Sequence, residues 1–117
     1  MTETDTRAPR PRVELLWWNG CPSTPRALSE LRTVLGEAGL DPGAVELRQI
    51  ETHEQALKEA FAGSPTIRID GLDVEESSAE RPGLTCRVYR LRDGRASPTP
   101  DPEDLRAALQ AATGADD

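Results

Sequence analysis

Residues 15–35, "LLWWNGCPSTPRALSELRTVL", set the tightest local constraint on how this chain folds. The segment "VELLWW" (13–18) is apolar after Glu14, which predicts a buried strand. From Ala27, apolar residues recur at Leu28, Leu31, Leu35 and Ala38, the stripe of an amphipathic helix. Between strand and helix stand Asn19-Gly20, Cys21 and two prolines. A thiol at this position lies near the unpaired N–H groups and partial positive charge of a helix start, which favour thiolate over thiol. Two cap assignments are open. If Cys21 caps the helix, Pro25 lacks an N–H for the Cys21 carbonyl and its ring crowds it. If Thr24 caps, Pro25 takes the first helical position and Cys21 falls in the loop before it.

Downstream, "AVELRQI" (44–50) alternates and predicts a second strand with Val45 and Leu47 inward. Thr52 and Gln55 have capping-box spacing, placing a helix over about 53–61. "GSPTIRID" (63–70) predicts a loop and a strand with Ile67 and Ile69 on one face. Asp70-Gly71 is a two-residue hairpin signal that folds "LDVEE" (72–76) back. "LTCRVYRL" (84–91) reads as a short strand, with a helical turn as the alternative. Asp101-Pro102 begins a last helix, with Glu103 and Asp104 in its first turn and Leu105, Ala108, Leu109 and Ala112 as its buried stripe. The predicted class is α/β in the order β-α-β-α-β-β, an extra segment, then α. A polar tail (1–12) and a short tail (113–117) flank one domain (13–112). At 117 residues the chain suits a single core.

A formal net charge of −7 disfavours nucleic acid and anionic membranes as partners. No stretch has the roughly 18–20 apolar residues of a membrane span, and no apolar signal sequence opens the chain. A cytoplasmic location is the expectation. There, Cys21 and Cys86 are expected to be reduced, catalytic or metal-binding instead of a structural disulfide. Cys21, at a turn, is expected to be the more exposed and the faster to alkylate. His53, near the start of the second helix, is expected to be exposed, and no His/Cys spacing suggests zinc. Trp17 and Trp18 should point to opposite faces of the sheet, both in the core, with Trp18 placed to shield a thiolate. Arg87, next to Cys86, reads as a surface residue.

Two motifs carry a family resemblance. Strand, "WWNGCPST", helix looks like the active-site turn of thioredoxin-like proteins, and "GSPTIRIDG" looks like their cis-proline loop, strand and hairpin. The resemblance covers roughly residues 13–76 and the final helix, and implies a thioredoxin-like mixed sheet flanked by helices. The departure is Thr24, where a second cysteine usually stands. The resemblance implies that Cys21 is the attacking thiol, with Pro65 a cis-proline beside it. A cis Ser64-Pro65 bond would turn the Ser64 backbone outward, towards an extended substrate. Trp18, Thr24, Ser64 and Pro65 would then line the substrate site.

The hairpin brings the chain back towards Cys21, which makes Cys86 a candidate resolving thiol. The alternative is a buried Cys86 sharing a strand face with Val88. The resemblance thus implies a thiol-dependent oxidoreductase acting on a thiol or disulfide, protein or small molecule, with no cofactor. A weaker similarity, to the core of alkylmercury lyases, implies that Cys21 and Cys86 bind a thiophilic metal or organomercurial, with Asp73, Glu75 or Glu76 as proton source. Glu75-Glu76 also reads simply as a solvated loop. A redox-silent interaction domain is the third reading.

Overall fold

The computed structural model describes residues 11–75 and 82–113. The predicted element order is present: β1 (Val13–Trp17), α1 (Thr24–Glu37), β2 (Val45–Gln49), α2 (His53–Glu59), β3 (Thr66–Ile69), β4 (Leu72–Asp73), β5 (Tyr89–Arg90), β6 (Ala96–Ser97) and α3 (Pro102–Thr113). The fold is mixed α/β. Four strands form one sheet in the order β2-β1-β3-β4, and the extra segment is a separate β5–β6 ladder. β1 runs parallel to β2 and antiparallel to β3, in the register Val13↔Val45 and Val13↔Ile69.

Period-two alternation divides β1 between two cores. Val13 and Leu15 join Ile67 and Ile69 of β3 beneath Leu31, Val34 and Leu35 of α1 and Leu105 and Leu109 of α3, with Trp17 packed alongside. On the other face, Leu16 packs with Ile50, Ala56 and Phe61, and Trp18 lies against this cluster. The two tryptophans therefore take opposite sides, as the sequence predicts. Glu14 also faces the second side and is buried. Arg48 holds it at 3.0 Å and Arg12 at 3.3 Å, so the charge is paired.

Several expectations need correction. Leu47 shares the parity of Val45 but is 51% exposed. β2 is an edge strand, and the buried members of the main core come from β1, β3, α1 and α3. The second helix stops at Glu59, where Ala60 turns left-handed at φ 54°. The predicted strand 72–76 pairs only over Leu72–Asp73. The predicted strand 84–91 pairs as a ladder only at Tyr89–Arg90. Local signals elsewhere act as read. Thr52 and Gln55 make both bonds of the capping box. Asp70 and Gly71 have positive φ and close the β3–β4 hairpin with Ile69 opposite Leu72. Asp101 Oδ1 accepts from the Glu103 N–H at 2.9 Å and starts α3.

Arg12 exchanges backbone contacts with Asp70, its N–H donating to Oδ1 at 2.8 Å and its carbonyl accepting from the Asp70 N–H at 2.7 Å. Residues 1–10 and 114–117 of the expected tails, and 76–81 of the loop after β4, lie outside the described residues. No helix among the described residues is long and apolar enough to cross a membrane.

Candidate functional site

Cys21 sits where β1 has ended and α1 has not begun. The chain turns tightly there, with the Cys21 N–H donating to the Trp18 carbonyl at 3.2 Å. Gly20 makes this turn feasible: a Cβ at position 20 would overlap the Trp18 ring. Neither candidate cap holds the helix. Ser23 occupies the N-cap position, without a side-chain cap bond, and its carbonyl accepts from the Ala27 N–H at 3.0 Å. Pro25 is therefore the second helical residue. It is tolerated there because no N–H of the first turn has an intrahelical acceptor. The backbone of Ser23, at the start of the helix, nonetheless favours the Cys21 thiolate.

The second wall of the site is the loop before β3. The Ser64–Pro65 peptide is cis, in line with the sequence expectation. The Ser64 carbonyl lies 3.3 Å from the Cys21 sulfur and accepts from its thiol. The Ser64 hydroxyl lies 3.4 Å from the Thr24 hydroxyl, so Thr24 bridges helix and loop. Pro65 is buried, and its carbonyl accepts from the Tyr89 hydroxyl at 2.5 Å.

The third wall is the segment carrying Cys86. Cys86 pairs with Ser64 in an isolated parallel bridge. The Ser64 N–H donates to the Thr85 carbonyl, and the Arg87 N–H donates to the Ser64 carbonyl, both at 2.8 Å. The Trp18 indole N–H adds a bond to the Thr85 carbonyl at 3.1 Å. One expectation is overturned here. The Ser64 backbone is not turned outward to a free edge, because residues 85–87 already pair with it. Trp18 packs on the core, in line with the sequence expectation, and also ties the first turn to this segment. Cys86 is also not the buried strand cysteine of the alternative reading. It and Val88 are exposed, while Arg87 and Tyr89 are buried.

Arg87 is the residue that sequence reasoning misjudged most. Its side chain is 1% exposed and holds Asp73 at 2.7 Å. It donates to the Thr66 hydroxyl at 3.2 Å and to the Glu75 carbonyl, and its guanidinium stacks 4.5 Å from the centre of the Tyr89 ring. Burial is the largest single influence and opposes its charge, but the hydrogen bond to Asp73 together with the surrounding Tyr89, Asp73 and Glu75 outweighs it and raises the Arg87 pKa. Burial pushes the Tyr89 pKa up, so the phenol stays protonated as the donor to Pro65. The available signal was the alternation Arg87/Tyr89 against Cys86/Val88, together with acidic residues on the preceding hairpin. Asp73 is engaged by Arg87, and a Glu75 carboxylate oxygen accepts from the Arg90 N–H at 3.4 Å. Glu76 lies outside the described residues, and His53 is exposed as expected.

The fold brings the two cysteines together: both are free thiols, Ser64 contacts the Cys21 sulfur and bridges to Cys86, and each thiol shifts the ionisation of the other. Burial disfavours a Cys21 thiolate. Hydrogen bonds from the Ser23 backbone and from the Cys86, Ser64 and Ser23 side chains outweigh burial and pull the Cys21 pKa below its ordinary 9.0. Cys86 moves the other way, mainly because its proton is held by the Cys21 sulfur. Exposure reverses the sequence expectation. Cys21 is only 7% exposed and Cys86 is the exposed thiol, so a preference for Cys21 rests on ionisation instead of access.

A pH dependence follows from these opposite shifts. A group with a lowered pKa stays anionic further down the pH scale. Labelling of Cys21 by iodoacetamide should therefore reach half its maximal rate below pH 9.0, and that of Cys86 above it. The ratio of Cys21 to Cys86 labelling should fall as the pH rises. Peptide mapping after timed labelling measures it, and coincident midpoints would contradict the assignment.

Among the described residues, no group of three or more His, Cys, Asp or Glu side chains is arranged to hold a metal ion. Comparison with protein-family models and with curated proteins finds no match for the chain.

Proposed function

We propose that this chain is a thioredoxin-like domain and that Cys21 and Cys86 form its working dithiol. One observation carries the reading: Ser64, whose carbonyl lies 3.3 Å from the buried Cys21 sulfur, is bridged through its backbone to the exposed Cys86, so the fold brings the two cysteines together. The sheet order β2-β1-β3-β4 and the Ser64 carbonyl 3.3 Å from the Cys21 sulfur support the family assignment. The missing neighbour cysteine at Thr24 is then made good by one that arrives through the fold.

The chemistry balances with these two groups alone. The Cys21 thiolate attacks one sulfur of a substrate disulfide, forming a mixed disulfide and expelling a thiolate, which takes a proton from solvent. Cys86 loses its proton and attacks the Cys21 sulfur. This breaks the mixed disulfide and releases the second substrate thiol. The substrate gains two electrons, and the protein is left with a Cys21–Cys86 disulfide. An external thiol or dithiol reduces it for the next turnover. A disulfide between them needs Cα atoms within about 7 Å.

Oxidation of the reduced protein with one equivalent of a mild disulfide, followed by peptide mapping without reductant, tests this. The expected product is a peptide pair linked through Cys21 and Cys86. Chains that instead accumulate intermolecular dimers or mixed disulfides on Cys86 alone would sink the reading. Tight stoichiometric binding of Hg(II), without ready disulfide formation, would favour the thiophilic-metal alternative, since two thiolates suit a linear soft cation.

A further inference from the structure

We propose that the Thr85–Arg87 segment permanently fills the strand position beside Cys21, so that the dithiol acts on low-molecular-weight disulfides and excludes extended polypeptides. This rests on the dithiol reading above and names its substrate class.

A polypeptide that docks as an added strand needs a free backbone N–H and carbonyl at the edge it joins. At the Cys21 site that edge is Ser64, whose carbonyl already touches the Cys21 sulfur at 3.3 Å. Both Ser64 backbone groups are used within the chain, the N–H by Thr85 and the carbonyl by Arg87, each at 2.8 Å. The fit is close. Gly63 has no side chain, and a Cβ there would stand 3.1 Å from the Thr85 hydroxyl and 3.2 Å from the Arg87 Cβ.

The occupying segment is also fastened at both ends and in the middle. The Gly83 N–H donates to the Phe61 carbonyl at 3.0 Å. The Trp18 indole holds the Thr85 carbonyl at 3.1 Å. Beyond Cys86, Arg87 is locked by Asp73, Thr66 and Glu75, and Tyr89 by the Pro65 carbonyl. Displacing the segment would pull a buried guanidinium away from its carboxylate, which an incoming strand does not replace. The neighbouring Cys86 thiol is exposed. A compact disulfide presents a sulfur there without backbone pairing. It is reduced to two thiols while the dithiol is oxidised, and an external thiol or dithiol reductant completes the cycle.

The test uses the reduced wild-type protein and two disulfides of similar intrinsic reactivity. One is bis(2-hydroxyethyl) disulfide. The other joins two extended ten-residue peptides through a central cysteine in each. Oxidation of the dithiol is followed by mass spectrometry, and amide hydrogen exchange is recorded on the free protein. The small disulfide should react faster by on the order of tenfold or more, consistent with loss of two ladder hydrogen bonds. The Ser64 and Arg87 amides should be among the protected ones. Equal rates for both disulfides, or unprotected Ser64 and Arg87 amides, would overturn the proposal and leave the dithiol chemistry standing. If neither disulfide oxidises the pair, the dithiol reading falls and this proposal falls with it.

Discussion

Replacing Cys21 by serine should reduce disulfide exchange to the uncatalysed background, a loss on the order of a thousandfold or more. Cys21 is the sulfur whose charge the site favours. The Ser23 backbone and the Cys86, Ser64 and Ser23 side chains supply hydrogen bonds to it. A serine hydroxyl there is a much weaker nucleophile at neutral pH. The companion variant gives a different signature. Cys86→Ser keeps the attacking thiol and a hydroxyl donor beside it, so the first step proceeds. The second step has no thiol to perform it. One equivalent of substrate thiol should be released per chain, with the other half of the disulfide trapped on Cys21. Because Cys86 is exposed, its replacement should leave the fold intact, which circular dichroism checks. Continued turnover by Cys86→Ser would remove Cys86 from the mechanism. Residual catalysis by Cys21→Ser would remove Cys21.

The largest effect on stability should come from a residue that performs no chemistry. Arg87→Met is expected to destabilise the domain by about 3 kcal/mol, the lower end of the cost of breaking a buried pair from one side. The lower end applies because Asp73 retains 24% exposure and water can take over part of its solvation. The change also leaves the Glu75 carbonyl and Thr66 hydroxyl without their donor and removes the stacking on Tyr89. Against a total stability of roughly 5–15 kcal/mol this is a large fraction. Urea unfolding should show the midpoint falling by about 1–3 M. Arg95→Met is the control. The Arg95–Asp93 pair is held at 2.8 Å but both partners are largely exposed, and its loss should change stability by no more than about 0.5 kcal/mol. Equal effects from the two variants would show that the Arg87 network contributes nothing particular.

Local chemistry was legible in the sequence wherever it is decided within a few residues. The Thr52/Gln55 capping box, the Asp70-Gly71 hairpin and the Asp101 start of α3 all form as read, because each is built from side chains and backbone groups one turn apart. The apolar stripes of α1 and α3 likewise predict the helix faces that bury Leu31, Leu35, Leu105 and Leu109. The cap of α1 was less legible. Pro25 suggested the first helical position, but the first turn tolerates a missing N–H at the second position equally well, and Ser23 takes the cap.

What the sequence determined by itself is therefore the order of elements, the residues that share a face, and a cysteine at a strand-to-helix turn. The tertiary structure decided which face is inside. Alternation places Cys86 with Val88 and Arg87 with Tyr89, but a period of two is blind to the sign of burial. The sequence leaves Cys86 open between a neighbour of Cys21 and a buried residue sharing a face with Val88, and Arg87 reads as a surface residue. The fold buries Arg87 instead, because Asp73 on the β3–β4 hairpin, the Thr66 hydroxyl, the Glu75 carbonyl and the Tyr89 ring together pair a buried guanidinium. Those partners are scattered along the chain and meet only once the sheet has formed. The same inversion exposes Cys86 and binds its backbone to Ser64. Cys21, expected to be the open thiol, is the buried one, with the Ser64 carbonyl against its sulfur and the Cys86 segment paired to that same residue. Leu47 obeys the same logic in reverse, with the right parity on an edge strand that the helices do not cover.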